Sequence, residues 1–143
     1  MLYTDLLKTQ TTCPFCEPIT NEIIEKNSSS FLTFSIAPYH RHHLMVIPFR
    51  HVDDFKDLSE EETVELQKLL HRGVLLIEAL GYRDYTILVR NGVNTGKSVA
   101  HLHYHIVPSV IIGDLDHKGK ERTVMTKEEI AQLMRELREV SGK

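Results

Sequence analysis

Two apolar runs, "NEIIEK" at 21–26 and "FLTFSIA" at 31–37, flank the turn-forming "NSSS", and together they predict a β-hairpin. A third strand, "HLMVIP" at 43–48, follows a loop and ends at Pro48. The period then lengthens: Leu66, Leu69, Leu70, Leu76, Ile77 and Leu80 recur at helical spacing and predict a helix over Glu60–Leu80. Ser59 with Glu62 three residues on forms a capping-box signal, and Gly81 supplies a stop. Gly73 inside this helix costs about 1 kcal/mol relative to alanine, so it either weakens the helix or marks a close packing contact. Period-two patterns return in "DYTILVRNG" (84–92) and "SVAHLHYHIVPSVII" (98–112). A last amphipathic helix, about 126–140, starts at Thr126 with Glu129 in the same capping relation and carries Ile130, Leu133, Met134 and Leu137 as its stripe. The expected fold class is α+β, an antiparallel sheet with one long and one C-terminal helix packed on it, as a single domain over residues 1–143.

Composition narrows the function classes. No stretch approaches the roughly 18 consecutive apolar residues of a membrane span, and "MLYTDLLKTQ" has no long apolar core of a secretory signal, so a cytoplasmic protein is expected. A net charge of −3, from 17 basic and 20 acidic residues, gives no broad footprint for duplex nucleic acid. Any anionic ligand is expected to be small and locally bound. The oddity is nine histidines beside two cysteines. Scatter accounts for His71 and His117, but not for the groups His40, His42, His43, His51 and His101, His103, His105.

One apparent phosphate motif fails. "GVNTGKS" (92–98) has three residues between its glycines where a P-loop has four, and period-two alternation rather than a helix follows it. The glycines still allow backbone amides to approach an anion.

In "HLHYHIVPS" (101–109), a strand would put His101, His103 and His105 on one face about 6 to 7 Å apart, with Leu102, Tyr104 and Ile106 on the other face. Two chemistries compete for the three imidazoles: a shared zinc site with an open position for water, or divided labour with one histidine as a nucleophile towards phosphorus. "CPFC" at 13–16 bears on the choice. Its C-x2-C spacing is half a zinc site, and the βαβ context of a thioredoxin-type redox pair is missing. A tetrahedral Cys2His2 site needs two histidines from elsewhere, and His51 and His101 are the natural donors.

"HLMVIPFRHV", "NGVNTGKSVAHLHYHIVP" and "CPFC" together resemble the histidine triad family of nucleotide hydrolases and transferases, over residues 13 to 109. The resemblance implies an α+β fold, a homodimer, and chemistry on the α-phosphate of a nucleotide. It makes His103 the nucleophile that forms a nucleotidyl-histidine intermediate, places His105 against the phosphate oxygens, and sets Ser98 at the leaving-group oxygen. Asn91 and Gly96 match the loop around the phosphates. Cys13, Cys16, His51 and His101 match a structural zinc site, and His43 matches a histidine that holds the loop bearing the active strand. Lys97 stands where the family most often has glutamine, adding a cation that would favour a longer polyphosphate. Ser35 replaces the residue that usually grips the ribose, Ile36 fits the apolar wall for the base, and Ser109 stands where many members have arginine. The tail from Ile111 matches no particular branch. The expected activity is hydrolysis or phosphorolysis at the α-phosphate of dinucleoside polyphosphates or related adenosine nucleotides. Hydrolysis of an adenosine phosphoramidate, a non-catalytic nucleotide-binding role and a zinc hydrolase built on the triad are the alternatives.

Overall fold

A computed structural model describes residues 1–16, 22–113 and 122–142. His117, Asn21 and residues 114–121 of the tail therefore lie outside the described residues. The elements are helix α1 (Tyr3–Thr9), strands β1 (Glu25–Lys26), β2 (Ser30–Phe34) and β3 (Leu44–Pro48), helix α2 (Glu60–Ala79), strands β4 (Tyr85–Val89) and β5 (Tyr104–Pro108), and helix α3 (Lys127–Ser141). The five strands form one antiparallel sheet in the order β1-β2-β3-β5-β4. The expected α+β class is observed; α1 was not anticipated, since no apolar period marks it.

Local chemistry explains the helix ends. Ser59 and Thr126 each accept the N3 amide while Glu62 and Glu129 return to the cap amide, so both capping boxes form. Gly81 takes φ +102, a left-handed value open to glycine, just past the end of α2. Glu62 also serves as an ion-pair partner. Arg50 binds both of its oxygens, at 2.8 and 3.1 Å, and this pairing holds the carboxyl well below the usual range, at about 2. The N-terminus of α2 is thus tied to the segment that follows β3.

Alternation decides what each sheet face does. Leu32 and Phe34 of β2, Leu44 and Val46 of β3 and Ile106 of β5 pack against Leu66, Leu69, Leu70 and Ile77 of α2 and Leu133 and Leu137 of α3. Phe31, Met45 and Ile47 face the other way, with Phe15 and Ile23 over them. His105 pairs with Met45 across β3 and β5 and stands on that second face.

Gly73 resolves as a packing contact. A Cβ there would lie 2.5 Å from Ile106 Cδ1 and 3.3 Å from Leu32 Cδ1, in a region where both residues are fully buried. Gly73→Ala gains helix propensity of about 1 kcal/mol but overpacks the helix–sheet interface, which costs about 1–3 kcal/mol. A net loss of stability, read as a lower urea midpoint, is the expected result; a gain would show that Ile106 repacks freely.

Two strands are shorter than the sequence predicts. In the first hairpin only Glu25–Lys26 pair with β2, although the Ile24 amide still donates to the Leu32 carbonyl at 2.8 Å. The 98–112 pattern yields a strand only over Tyr104–Pro108, so His101 and His103 precede it. The ladder to β3 stops at Val46↔Tyr104 because Pro48 has no N–H and its carbonyl accepts from the His101 ring at 2.8 Å.

Candidate functional site

The three alternate histidines are all buried, yet each imidazole has a different partner. His101 donates from Nε2 to the Pro48 carbonyl, which leaves Nδ1 facing Cys13 Sγ at 3.4 Å and Cys16 Sγ at 3.6 Å. His103 donates from Nδ1 to the His101 carbonyl at 2.8 Å, so its Nε2 carries a lone pair. His105 is ordered from the other side. The Tyr39 amide donates to His43 Nδ1 at 3.2 Å, His43 therefore carries its proton on Nε2, and that proton goes to His105 Nδ1 at 2.8 Å. The remaining His105 nitrogen, Nε2, is then an N–H donor. A nucleophile-ready nitrogen and a donor nitrogen thus stand side by side, with ring centroids 4.7 Å apart.

Both rings line a cleft with Ser35, Ile36, Met45, Gly96, Lys97 and Ser98, together with Phe15, Arg90 and Arg122. Phe15 meets the His103 ring edge-on at 5.0 Å and fixes its plane. Burial pushes the His103 imidazole down to about 4, the neighbouring backbone carbonyl opposing the shift and Lys97 adding to it, so the lone pair is retained at neutral pH.

The fold corrects several expectations drawn from the sequence. Lys97 lines the cleft, but its ammonium donates to the Asp53 carbonyl at 2.6 Å and to the Asp53 carboxylate. Its cation is therefore engaged, and Lys97 gives no reason to favour a longer polyphosphate. Asn91 is exposed and is not among the residues lining the cleft; its Oδ1 accepts the Phe55 amide at 2.7 Å. Both residues instead pin the glycine-bearing loop to residues 53–55. His42, another of the first histidine group, is buried between the Tyr82 hydroxyl at 2.7 Å and the Glu136 carboxylate at 2.5 Å, fastening the 39–43 loop to α3. Arg90 and Arg122 were missed because a lone arginine in a strand end or tail has no local signal.

Cys13, Cys16, His51 and His101 bring one ligand atom each to within 4.8 Å of one another. Tetrahedral zinc with bonds of 2.0–2.3 Å needs ligand–ligand distances of about 3.3–3.8 Å; the sulfur–nitrogen distances of 3.4 and 3.6 Å fall in that range and the third, 3.1 Å, lies just below it. Neither cysteine is in a disulfide, and the Pro48 carbonyl fixes the His101 tautomer as an outer-shell partner would. The donor set and its spacing fit a closed metal site. Among the described residues His103 and His105 belong to no such cluster, so a triad-based zinc centre is not what the fold assembles.

The buried pair His43 and His105 makes the protein acid-sensitive. Burial, then Arg122 and His103, lowers His43 to about 3; burial, then His43 and His103, depresses His105 as well. In the unfolded chain both take a proton near pH 6.5 while the native state does not. Their contribution is therefore fully present above about pH 6.5 and is lost as the pH falls, by about 2 kcal/mol for each histidine at pH 5. The thermal midpoint is expected to drop by about 10 °C between pH 7.5 and 5, and the drop should shrink in His43→Asn. An unchanged midpoint would show that these rings are not held uncharged.

The arrangement defines an α+β protein whose sheet face carries an ordered His43–His105–His103 array beside a separate Cys2His2 cluster. The HIT domain family model matches residues 17–110, and the chain belongs to that family. The adenosine 5'-monophosphoramidase hnt1 of Schizosaccharomyces pombe is 29% identical over 100 residues, covering 67% of this chain and 73% of that protein. The AP-4-A phosphorylase of Mycobacterium tuberculosis is 28% identical over 88 residues, covering 60% of this chain but only 45% of that protein. Among solved structures, the hypothetical histidine triad nucleotide-binding protein ST2152 of Sulfolobus tokodaii superposes with a TM-score of 0.74 at 22% identity, covering 90% of this chain and 91% of that one. A Zn-bound histidine triad family protein of Mycobacterium smegmatis gives 0.67 at 22% identity, covering 92% and 96%.

Proposed function

We propose that this protein is a nucleotidyl hydrolase or phosphorylase that cleaves dinucleoside polyphosphates or related adenosine nucleotides at the α-phosphate, through a nucleotide bound covalently to His103. The observation that carries the reading is the opposed protonation of two adjacent rings. His103 Nδ1–H is spent on the His101 carbonyl, and His105 Nδ1 is spent on His43, so the cleft receives one lone pair and one N–H.

In the first step the His103 Nε2 lone pair forms a bond to the α-phosphorus, and the bond to the leaving-group oxygen breaks with its electron pair departing in line. His105 Nε2–H donates to a non-bridging oxygen as charge gathers there. Gly96 brings backbone close to the phosphates, and Ser98 faces the departing oxygen. In the second step water, or inorganic phosphate in a phosphorolysis, attacks the same phosphorus and restores His103. Ile36 and Ser35 form the base and ribose side of the cleft. Cys13, Cys16, His51 and His101 would hold zinc as a structural tie between the N-terminal segment and the strand that bears the nucleophile. Zinc bound there supplies rigidity, and the four protein donors leave no position for substrate. As the family resemblance implies, the working unit is proposed to be a homodimer.

The matched relatives support this class of chemistry, and they divide over the leaving group: one is named for a phosphoramidate and the other for a dinucleoside polyphosphate. The dinucleotide reading is favoured by the Arg122 guanidinium at the cleft. Rapid mixing with diadenosine tetraphosphate or adenosine 5'-phosphoramidate, followed by acid-free mass spectrometry, tests the reading. An adduct of one nucleotidyl group on His103 is the expected result. Its absence with both substrates would overturn it.

A further inference from the structure

Residues beyond the family-matched segment 17–110 close one side of the cleft. The Tyr3 amide donates to the Arg122 carbonyl at 2.8 Å, Leu2 bridges Thr123, and the Val124 amide donates to the Met1 carbonyl at 2.8 Å. This two-stranded contact joins the N-terminal segment to the chain ahead of α3 and sets both side chains over the site. The Arg122 guanidinium lies between two aromatic faces, 4.7 Å from the Tyr3 ring centroid and 4.4 Å from that of Tyr39. Its Nη1 donates to the Ala37 carbonyl at 2.8 Å. The Tyr3 hydroxyl meets Ser98 Oγ at 2.8 Å.

Arg41, Arg50 and Arg72 each pair with a carboxylate, whereas among the described residues no carboxylate pairs with Arg122. Two rings and a carbonyl hold the guanidinium in one orientation without neutralising it, and both Tyr3 and Arg122 line the same cleft as His103. A planar cation with five N–H groups suits phosphate oxygens, which it can grip two at a time. Tyr3, when its hydroxyl donates to Ser98 Oγ, orients the serine proton towards a ligand oxygen.

We propose that Tyr3, Ser98 and Arg122 form a subsite for the phosphate chain beyond the α-phosphate, and so select substrates whose leaving group is phosphorylated. This rests on the function proposed above and specifies its substrate. Arg122 contacts the chain directly; Tyr3 is a positioning residue acting through Ser98 and through its stack on Arg122. The Lys97 cation, engaged by Asp53, does not supply this charge.

Two measurements test the subsite separately from catalysis. In calorimetric titrations of the full chain, adenosine tetraphosphate is expected to bind at least tenfold more tightly than AMP. Arg122→Gln should erase that ratio and leave AMP affinity within about twofold. In kinetics, Arg122→Gln is expected to lower kcat/KM for diadenosine tetraphosphate by tenfold or more, and that for adenosine 5'-phosphoramidate by less than threefold. Tyr3→Phe keeps the ring stack and loses the hydroxyl, so it should lower kcat for the dinucleotide several-fold while retaining the tetraphosphate-to-AMP ratio. Equal losses on both substrates, or a wild-type affinity that does not rise with phosphate number, would overturn the subsite. Should Arg122→Gln unfold, Arg122→Lys, which keeps the charge but not the planar fork, should retain only part of the ratio; an undiminished ratio would overturn a fork-specific contact. No His103 adduct together with an intact phosphate-dependent affinity would refute the catalytic reading alone.

Discussion

His103→Asn is expected to lower turnover by about 10⁴-fold or more while nucleotide affinity stays within about threefold. The substitution removes the lone pair that would bond to phosphorus, and loss of a nucleophile is the costliest single change an enzyme of this kind can suffer. Asparagine keeps an amide N–H able to reach the His101 carbonyl, which His103 Nδ1 now contacts at 2.8 Å, so the local backbone has its partner. The effect therefore falls on kcat rather than on KM. Single-turnover measurements with diadenosine tetraphosphate, alongside equilibrium binding of AMP, check the split. Activity above about 1% of the parent would mean that His103 does not make the bond. A matching loss of AMP binding would mean that it only shapes the pocket.

Removing metal is expected to lower the thermal midpoint by about 10 °C, corresponding to about 3–4 kcal/mol at 2–4 °C per kcal/mol for a domain of this size. Zinc-finger peptides unfold outright without their metal. Here the α2–α3–sheet core is independently large, with Leu32, Leu44, Ile77, Ile106 and Leu133 all essentially inaccessible, so the body of the fold survives. What loosens is the segment 13–16, because Cys13 and Cys16 meet the rest of the molecule at His101 and His51. Phe15 lies in that same segment, edge-on to His103, and its release should slow turnover only secondarily. Metal content by mass spectrometry, with melting curves before and after chelation and for Cys13→Ser, provides the test. Complete loss of the chemical step in chelated protein that is still folded would instead indicate a catalytic metal. An unchanged midpoint would leave the cluster without a structural role.

These two effects come from histidines two residues apart, and the sequence could separate them only in part. The C-x2-C spacing of Cys13 and Cys16 pointed to His51 and His101 as partners, and the fold brings those four together. Helices were legible because their signals are local. Both capping boxes lie within four residues of chain, and the apolar stripe of α2 repeats often enough to be read without knowing what it packs against. The strand over 98–112 was overread. Alternation continues through His101 and His103, but pairing stops where Pro48 offers no donor, a fact about a different strand.

Charge placement was the least legible part of the site. Lys97 and Arg122 are both cations, and only the fold ties the first to Asp53 and lays the second between two tyrosine rings. Lys97 reads as a cation beside the phosphates only because it stands where the family most often has glutamine, which says nothing of Asp53. The burial of His42 is illegible for the same reason: it depends on Tyr82 and Glu136, which lie 40 and 94 residues further along the chain.

The sequence by itself determined the two long helices, the α+β class, the C-x2-C half of the cysteine–histidine cluster and the i, i+2 spacing of the three histidines, because periodicity, capping and ligand spacing are properties of neighbouring residues. Only the tertiary structure decided which nitrogen of each histidine carries the proton, since that follows from carbonyls and rings delivered by distant segments: Pro48 for His101, and His43 for His105. It also decided where cations stand in the cleft and that Tyr3 and Arg122 meet above it, because a chain end and a tail become neighbours only through folding.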